Sequence, residues 1–474
     1  MKKTNNDNIN CILNRISIKF YLVLLLVIQF IWYVIMFPGC ISYDSYNQIA
    51  QAVGWIPFMD NNPIFHSMLM AVVMRPIYLL TNNIYICIAA WNFVSNLYYF
   101  FVILYCLKVV KFYFDRYILA KVLFLFYAIC PLVWGFWSVL WKDVWISYSV
   151  LLLFVSLVDL IYITKYDKFV SDRCRMCVFS FSLIMTLISK GTGILFVIPL
   201  LSVLVILYKR INIVIIVTSV SLLVYYILLF IVTRVIGFQE HGNMDFLCMA
   251  WQILGGIVKD NDLSLQESLS LGVFVDIKKA KYIYNPYIAD PIKAAIDIDK
   301  FNENILGNLL LIVKLATRYY KSSLKSIIYM ISGYVSPLFH SSCICTSSYN
   351  CTVYNYMNSD WKISFDPMAK YITSDNLDMQ IRDSISKIYN YFGHLPLIGY
   401  LFNIGFYNMV WMLAFIISIM KKYSILLYII PFMCFISCIA SPVSGEFRYA
   451  YPMILIIPII IIWLTCIGGD SNEN

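Results

Sequence analysis

At 474 residues, 61% of them hydrophobic, with a mean hydropathy of +0.77 and 13% charged, the chain is too apolar for a water-soluble globular protein. Its apolar runs are continuous rather than alternating, which excludes a transmembrane β-barrel. The formal net charge of +9 sits mostly between those runs, a pattern of positive-inside orientation and not of nucleic-acid binding. The expected fold class is an all-α polytopic membrane protein, because the runs are long enough to cross about 30 Å of hydrocarbon.

Met1 to Lys19 is polar and basic and is assigned to the cytoplasm. Phe20 to Phe37 then spans outward; it is too long, and lacks the small-residue site, for a removed signal peptide. Pro38 and Gly39 end it. The polar stretch 38–66 therefore lies outside, with Asp44, Asp60 and His66 set among aromatics. Ile64 to Leu80 is apolar but carries Arg75–Pro76, a poor bilayer core, and is expected to lie along the outer surface. Ile84 to Leu107 crosses inward, bringing Lys108, Lys111, Arg116 and Lys121 to the cytoplasm. A full span at 64–80 would put those cations outside.

Alternation gives the rest. Val122 to Leu140 goes out, Trp141–Lys142–Asp143 connects outside, and Val144 to Ile163 returns to Lys165, Lys168, Arg173 and Arg175. Cys177 to Ser189, short for a span, goes out; Lys190 to Gly193 turns outside; Ile194 to Tyr208 returns. Ile211 to Ile236 leads to a long external segment, 237–394. Within it, Ile305–Ala316 and Ile327–Phe339 read either as surface helices or as an extra hairpin pair. Leu395 to Met420, Tyr423 to Ala440 and Tyr449 to Ile467 complete about ten spans with both termini inside. The expected organisation is an N-terminal transmembrane module (1–236) containing the first external loop (38–83), an external or juxtamembrane segment (237–394), and C-terminal helices (395–474).

With that topology, Asp44, Asp60, His66, Lys142, Asp143, Lys190, Glu446 and Arg448 all fall at external ends of spans. External ends are wet, so each alone is also explained as ordinary surface polarity. Together they supply carboxylates and cations from short, sequence-distant connections, and ionisable groups at membrane depth point to function. Lys142, Lys190 and Arg448 suit a phosphate, which arginine grips bidentately. Asp44 suits a general base, with Asp143 a second catalytic carboxylate, and the cations would stabilise a departing phosphate. Tyr43 and its aromatic neighbours suit either sugar stacking or the interfacial belt. Asp60 and His66 are supporting substrate-binding candidates; a lone histidine at a helix start is more often a cap or a packing group.

Fourteen cysteines do not read as a disulfide framework, since most fall in the expected spans. Cys343, Cys345 and Cys351 cluster outside, with Cys40 and Cys248 also external, and a disulfide among them is left open. The cluster lacks a fourth ligand at zinc spacing. No phosphate-binding loop, dinucleotide fingerprint or nucleophile elbow occurs, so nucleotide-driven transport and α/β-hydrolase chemistry have no support.

Several segments carry a resemblance: FPGCISYDSYNQIAQAVG with Asp44, DNNPIFHSML with His66, LWKDVWISYSVLL, ISKGTGILFVIPLL and FRYAYPMILIIPII. In order and spacing the chain resembles the polytopic glycosyltransferases of the GT-C type, especially family-39-like and uncharacterised bacterial members. The resemblance implies a GT-C-like bundle in a cell membrane, with two juxtamembrane helices in the first external loop. It also implies a polyprenyl-phosphate sugar donor, a lipid or glycan acceptor in the cell envelope, inverting transfer at the outer face, and Asp44 as base or substrate ligand. The chain departs from the pattern in lacking an Asp-x-Asp pair, which leaves a divalent cation open and no cofactor assigned, and in placing Ser67 rather than proline after His66. Two alternatives stand beside this reading: a transporter or flippase of lipid-linked glycans, which calls for ionisable groups near the bilayer midplane or for repeated halves, and a non-catalytic envelope-assembly protein.

Overall fold

The computed structural model describes residues 18–41, 43–59, 63–114, 117–166, 172–207, 212–231, 234, 247–337, 384, 387–388, 391–421 and 425–470. These are helical, with only isolated β-bridges among them. The helices in chain order begin with α1 (Ile18–Ile35), α2 (Tyr43–Val53), α3 (Ile64–Thr81), α4 (Ile84–Phe114), α5 (Tyr117–Ile129), α6 (Pro131–Trp134), α7 (Lys142–Tyr166), α8 (Asp172–Ser189), α9 (Ile194–Leu207) and α10 (Asn212–Ile231). A set of mostly short helices follows: α11 (Cys248–Asp260), α12 (Leu265–Leu271), α13 (Ile277–Ile283), α14 (Asp290–Lys293), α15 (Ile298–Glu303), α16 (Ile305–Arg318) and α17 (Tyr320–Val335). The chain ends with α18 (Ile404–Met420), α19 (Ile429–Ile439) and α20 (Phe447–Asp470).

Four of the described helices are long and apolar enough to cross a membrane by length and composition, with windows Ile64–Thr81, Ile84–Phe112, Lys142–Leu160 and Phe447–Thr465. Seven shorter apolar helices accompany them. The window in α7 is 100% buried, so this helix is the axis of the bundle, packed against α4, α8 and α20. A helix apolar all round belongs in such a position. α4 has 31 residues, about 46 Å at 1.5 Å per residue, longer than the hydrocarbon thickness requires.

Three expected elements differ. The run Val122 to Leu140 is not one helix: α5 ends at Ile129, the one-turn α6 starts at Pro131, and residues 135–141 are irregular. Proline cannot donate its missing N–H to the helix ladder, and it favours a fresh start at the first helical position. The short run Cys177 to Ser189 is part of an 18-residue helix, because α8 starts at Asp172. Finally, α3, laid on the surface by charge parity, is also long enough to span.

Arg75 sits in α3 because it has work at the end of α2. Its Nε and Nη2 donate to the carbonyls of Ala52 and Gln51, both at 3.2 Å. Those carbonyls belong to the last turn of α2, where helix partial charge is negative and orphan acceptors need donors. Gly54 ends that helix at φ +90, and a Cβ there would stand 3.2 Å from Arg75 Nη2. Left-handed backbone and lack of room both call for glycine.

Helices α11 to α17 form a unit with its own core, in which Trp251, Leu254, Phe274, Ile292 and Phe301 are buried together. Its short helices start on side-chain caps: Ser264 and Glu267 form a capping box, and Asp276, Asp297 and Asn304 each cap the helix that follows. Glu267 Oε2 accepts from Ser264 Oγ at 2.7 Å and from Ser264 N at 2.9 Å, bonds that hold its carboxyl below the usual carboxylate range. A depressed folded-state value contributes stability above the unfolded value of about 4.3, and that contribution is lost as pH falls through the folded value. Backbone amides of α12 are therefore expected to lose protection, relative to their intrinsic exchange rates, on acidification below pH of about 4, and Glu267→Gln to flatten that dependence. An unchanged acid limb in the variant would contradict the assignment.

Candidate functional site

The segment after α1 is stitched to the stretch preceding α7. Cys40 N donates to the Ser138 carbonyl (2.7 Å) and Leu140 N to the Cys40 carbonyl (3.0 Å), a parallel bridge between Cys40 and Val139. Ser45 Oγ donates to the Leu140 carbonyl at 2.9 Å, and Asn92 and Asn96 of α4 donate to Pro38 and Trp137 carbonyls. The starts of α2 and α7 consequently lie side by side. Asp44 is the residue before Ser45, but its side chain, that of Tyr43 and all of Asp60 lie outside the described residues.

Lys142 and Asp143 open α7. Asp143 is 2% exposed, and its Oδ1 receives Lys190 Nζ at 2.6 Å. Lys190 follows α8 in extended conformation, just before the 3₁₀ turn Gly191–Gly193. Its ammonium lies 4.5 Å from the Tyr449 ring centroid, and the Arg448 guanidinium lies 4.8 Å from the same ring and 5.4 Å from that of Trp141. Tyr449 thus carries two cations, a favourable arrangement because aromatic faces are negative. Lys142 and Arg448 both act electrostatically on Asp143. Burial pulls Lys190 below the usual lysine range, opposed by Asp143. Asp143 Oδ2 is buried with no hydrogen-bond partner among the described residues. Residues 141–143, 190 and 448–449 therefore meet at one place although the sequence separates them widely.

His66 stands beside this cluster and is 1% exposed. It has no helix-capping role: the cap of α3 is Pro63, with no side-chain bond. Gln48 Nε2 lies 2.9 Å from His66 Nδ1. An amide nitrogen only donates, so Nδ1 accepts and the ring proton sits on Nε2. His66 Nε2 and Gln48 Oε1 are both buried without a hydrogen-bond partner among the described residues. The imidazole packs edge-on against Trp91 (5.5 Å) and Trp145 (6.0 Å), which stack on each other at 4.7 Å. Lys142 and Asp143 are within electrostatic reach of it. Gln48 was missed from sequence, although two glutamines on one turn of a helix in so apolar a chain were a visible signal.

Behind Arg448, the loop 441–446 is held by the α11–α17 unit. Tyr334 OH lies 2.7 Å from Ser441 Oγ and from the Val443 carbonyl, Ser444 N donates to the Tyr287 carbonyl (2.8 Å), and Ala289 N to the Pro442 carbonyl (2.7 Å). Glu446 is half-buried, and its backbone N–H donates to the same Tyr334 hydroxyl at 3.3 Å. The α11–α17 unit thereby sets where Arg448 stands.

A second buried ion pair escaped sequence reasoning. Arg175 Nε lies 3.2 Å from Asp159 Oδ2, which also accepts from Tyr105 OH at 2.7 Å. Asp159 is sixteen residues beyond Asp143 on α7, about 24 Å along a helix, so the α7–α8 hairpin is pinned near both ends. Asp159 stands alone as a charge in the apolar run of α7. Among the described residues no group of three or more His, Cys, Asp or Glu side chains is placed to hold a metal ion. Cys40 and Cys248 are buried, whereas Cys343, Cys345 and Cys351 lie outside the described residues.

Comparison with known proteins gives one match. Residues 56–302 and 342–472 fit the profile of DUF6020, a family of unknown function, and the chain belongs to that family. The matched segments contain His66, Lys142, Asp143, Lys190 and Arg448; Asp44 precedes the first of them. No curated protein and no solved structure matches the chain.

Proposed function

We propose that the protein is a GT-C-type membrane glycosyltransferase that moves a sugar from a polyprenyl-phosphate donor to a cell-envelope acceptor at the outer face of the cell membrane. The observation that carries this reading is the buried Asp143–Lys190 pair with Lys142 and Arg448 gathered on it. Among the described side chains, cations there outnumber the carboxylates Asp143 and Glu446, so the cluster is suited to an anion. In a water-poor site such cations are already oriented when charge develops on a leaving phosphate.

In this reading Lys142, Lys190 and Arg448 bind the donor phosphate, and Asp143 orients Lys190 through the 2.6 Å bond. Asp44 takes the proton of the acceptor hydroxyl as its oxygen bonds to the sugar's anomeric carbon, and the bond from that carbon to phosphate breaks. His66, its Nε2–H without a hydrogen-bond partner among the described residues, adds a donor beside the cations. Asp60 and Tyr43 keep supporting roles. Ten spans follow if α3 lies on the outer surface and the other ten apolar helices cross. Buried charge at both ends of α7, and none between Asp143 and Asp159 on that helix, favours an enzyme over a carrier with a midplane site.

The test is sugar transfer from a polyprenyl-phosphate sugar by the purified protein. Asp44→Asn at equal folded yield is expected to lose at least about 10²-fold, the usual contribution of a positioned base. Undiminished transfer would remove Asp44 from the mechanism.

A further inference from the structure

Helices α16 and α17 form a hairpin joined at Tyr319, with α17 packed against α11, α18 and α19. α17 packs through Ser326, Met330 and Tyr334, which are buried. On the opposite side, at helical spacing, Leu324, Ile328 and Val335 are 53%, 63% and 39% exposed. α16 shows a similar stripe, with Leu306, Leu310 and Val313 at 72%, 60% and 58%. Exposed helix faces of water-soluble units are polar, so two adjacent apolar stripes mark a contact surface.

The occupant follows from charge and position. Arg318 and Lys325 are engaged by Glu267 and Asp260, both at 2.9 Å. Lys314 and Lys321, beside the stripes, are exposed and make no ion pair with a described residue. The Val335 end of α17 rests on the first turn of α18: Asn408 Nδ2 donates to the Tyr334 carbonyl (2.7 Å) and Asn403 Nδ2 to the Pro337 carbonyl (2.9 Å). The end of α17 therefore lies beside α18, on which Met409 and Leu413 are exposed. A second copy of the chain is disfavoured, because an isologous pairing would oppose lysines to lysines.

We propose that the α16–α17 hairpin lies in the outer interface of the bilayer, its apolar stripes at the acyl boundary and Lys314 and Lys321 among anionic headgroups. Amphipathic helices bind lipid surfaces by this combination, and lysine stems extend along apolar surface while their ammonium groups reach the headgroups. The proposal rests on the membrane reading but not on the reaction. Because Tyr334 and Ser444 join α17 to the loop before Arg448, the lipid surface would thereby set the height of the cationic cluster.

The full-length protein carries an environment-sensitive fluorescent amino acid at Leu310 or Ile328, in vesicles of phosphatidylcholine and phosphatidylglycerol containing shallow nitroxide-labelled lipid. A blue-shifted emission quenched by the nitroxide is expected at both positions, with no quenching at the fully exposed Asp262. Lys314→Glu with Lys321→Glu should reduce the quenching in anionic vesicles. Unquenched, red-shifted emission at Leu310 and Ile328, with Leu413 in α18 quenched, would overturn the proposal while leaving membrane embedding intact. Loss of quenching at Leu413 as well would overturn both. A blue shift without nitroxide quenching, growing with protein density, would mark a second copy as the occupant and would also overturn it.

Discussion

Asp143→Ala is expected to destabilise the folded protein by about 3–5 kcal/mol, the cost of removing one partner from a buried ion pair. The ammonium of Lys190, with 14% of its side chain exposed, would be left beside Lys142 and Arg448 with its counter-charge gone. Its contact with the Tyr449 ring offsets only about 1 kcal/mol of that. Lys190→Met should cost less, because Asp143 then keeps Lys142 and Arg448 nearby. The double variant should recover much of the loss, since it buries neither charge alone. Thermal unfolding of the three variants in one detergent checks this order. Equal losses in the two single variants, or none, would contradict the account of the cluster.

Gly333→Val is expected to lower sugar transfer about 10²-fold by a different route. A Cβ at Gly333 would lie 2.6 Å from the Gly445 Cα and backbone nitrogen and 2.8 Å from Ser444 Oγ. The loop cannot simply retreat: Ser444 N is bonded to the Tyr287 carbonyl, Ser444 Oγ to the Tyr329 carbonyl at 2.9 Å, and Gly445 is already at φ +66. Overpacking of this kind costs about 1–3 kcal/mol. The larger effect is displacement of Arg448, three residues on, and a shift of about 1 Å in a positioning group costs about 10²-fold in rate. Gly191→Ala is the control, because a Cβ there meets nothing within 4 Å although Lys190 is its neighbour. Sugar transfer and unfolding measured on both variants separate the effects. A fully active Gly333→Val would mean that the α11–α17 unit does not position Arg448.

The sequence was most informative where hydropathy and charge acted along one helix at a time. The apolar run of α7 and its polar start were legible because a bilayer demands the first and tolerates Lys142 and Asp143 only at an edge. Pairing across helices was not legible. Nothing local to Lys190 names Asp143 as its partner, and Asp159 with Arg175 went unnoticed because one sits in an apolar run and the other in a basic loop. Arg75 was read only as a reason against a span, whereas its bonds to the end of α2 explain its presence. The break at Pro131 was visible in the residue itself; hydropathy, which ignores backbone donors, ran the helix through it. His66 was weighed as a cap or a packing group, and its contacts with Gln48, Trp91 and Trp145 make it buried and oriented.

The central claim is that Lys142, Lys190 and Arg448 form a site for a lipid-linked phosphate. Retention of polyprenyl phosphate by the purified protein in native mass spectrometry tests it most directly, with the uncharged polyprenol as comparison. The wild type should retain the phosphate in preference to the alcohol, and Lys142→Gln with Arg448→Gln, which leaves the Asp143–Lys190 pair in place, should lose that preference. Equal retention of phosphate and alcohol by the wild type, or an undiminished preference in the double variant, would contradict it.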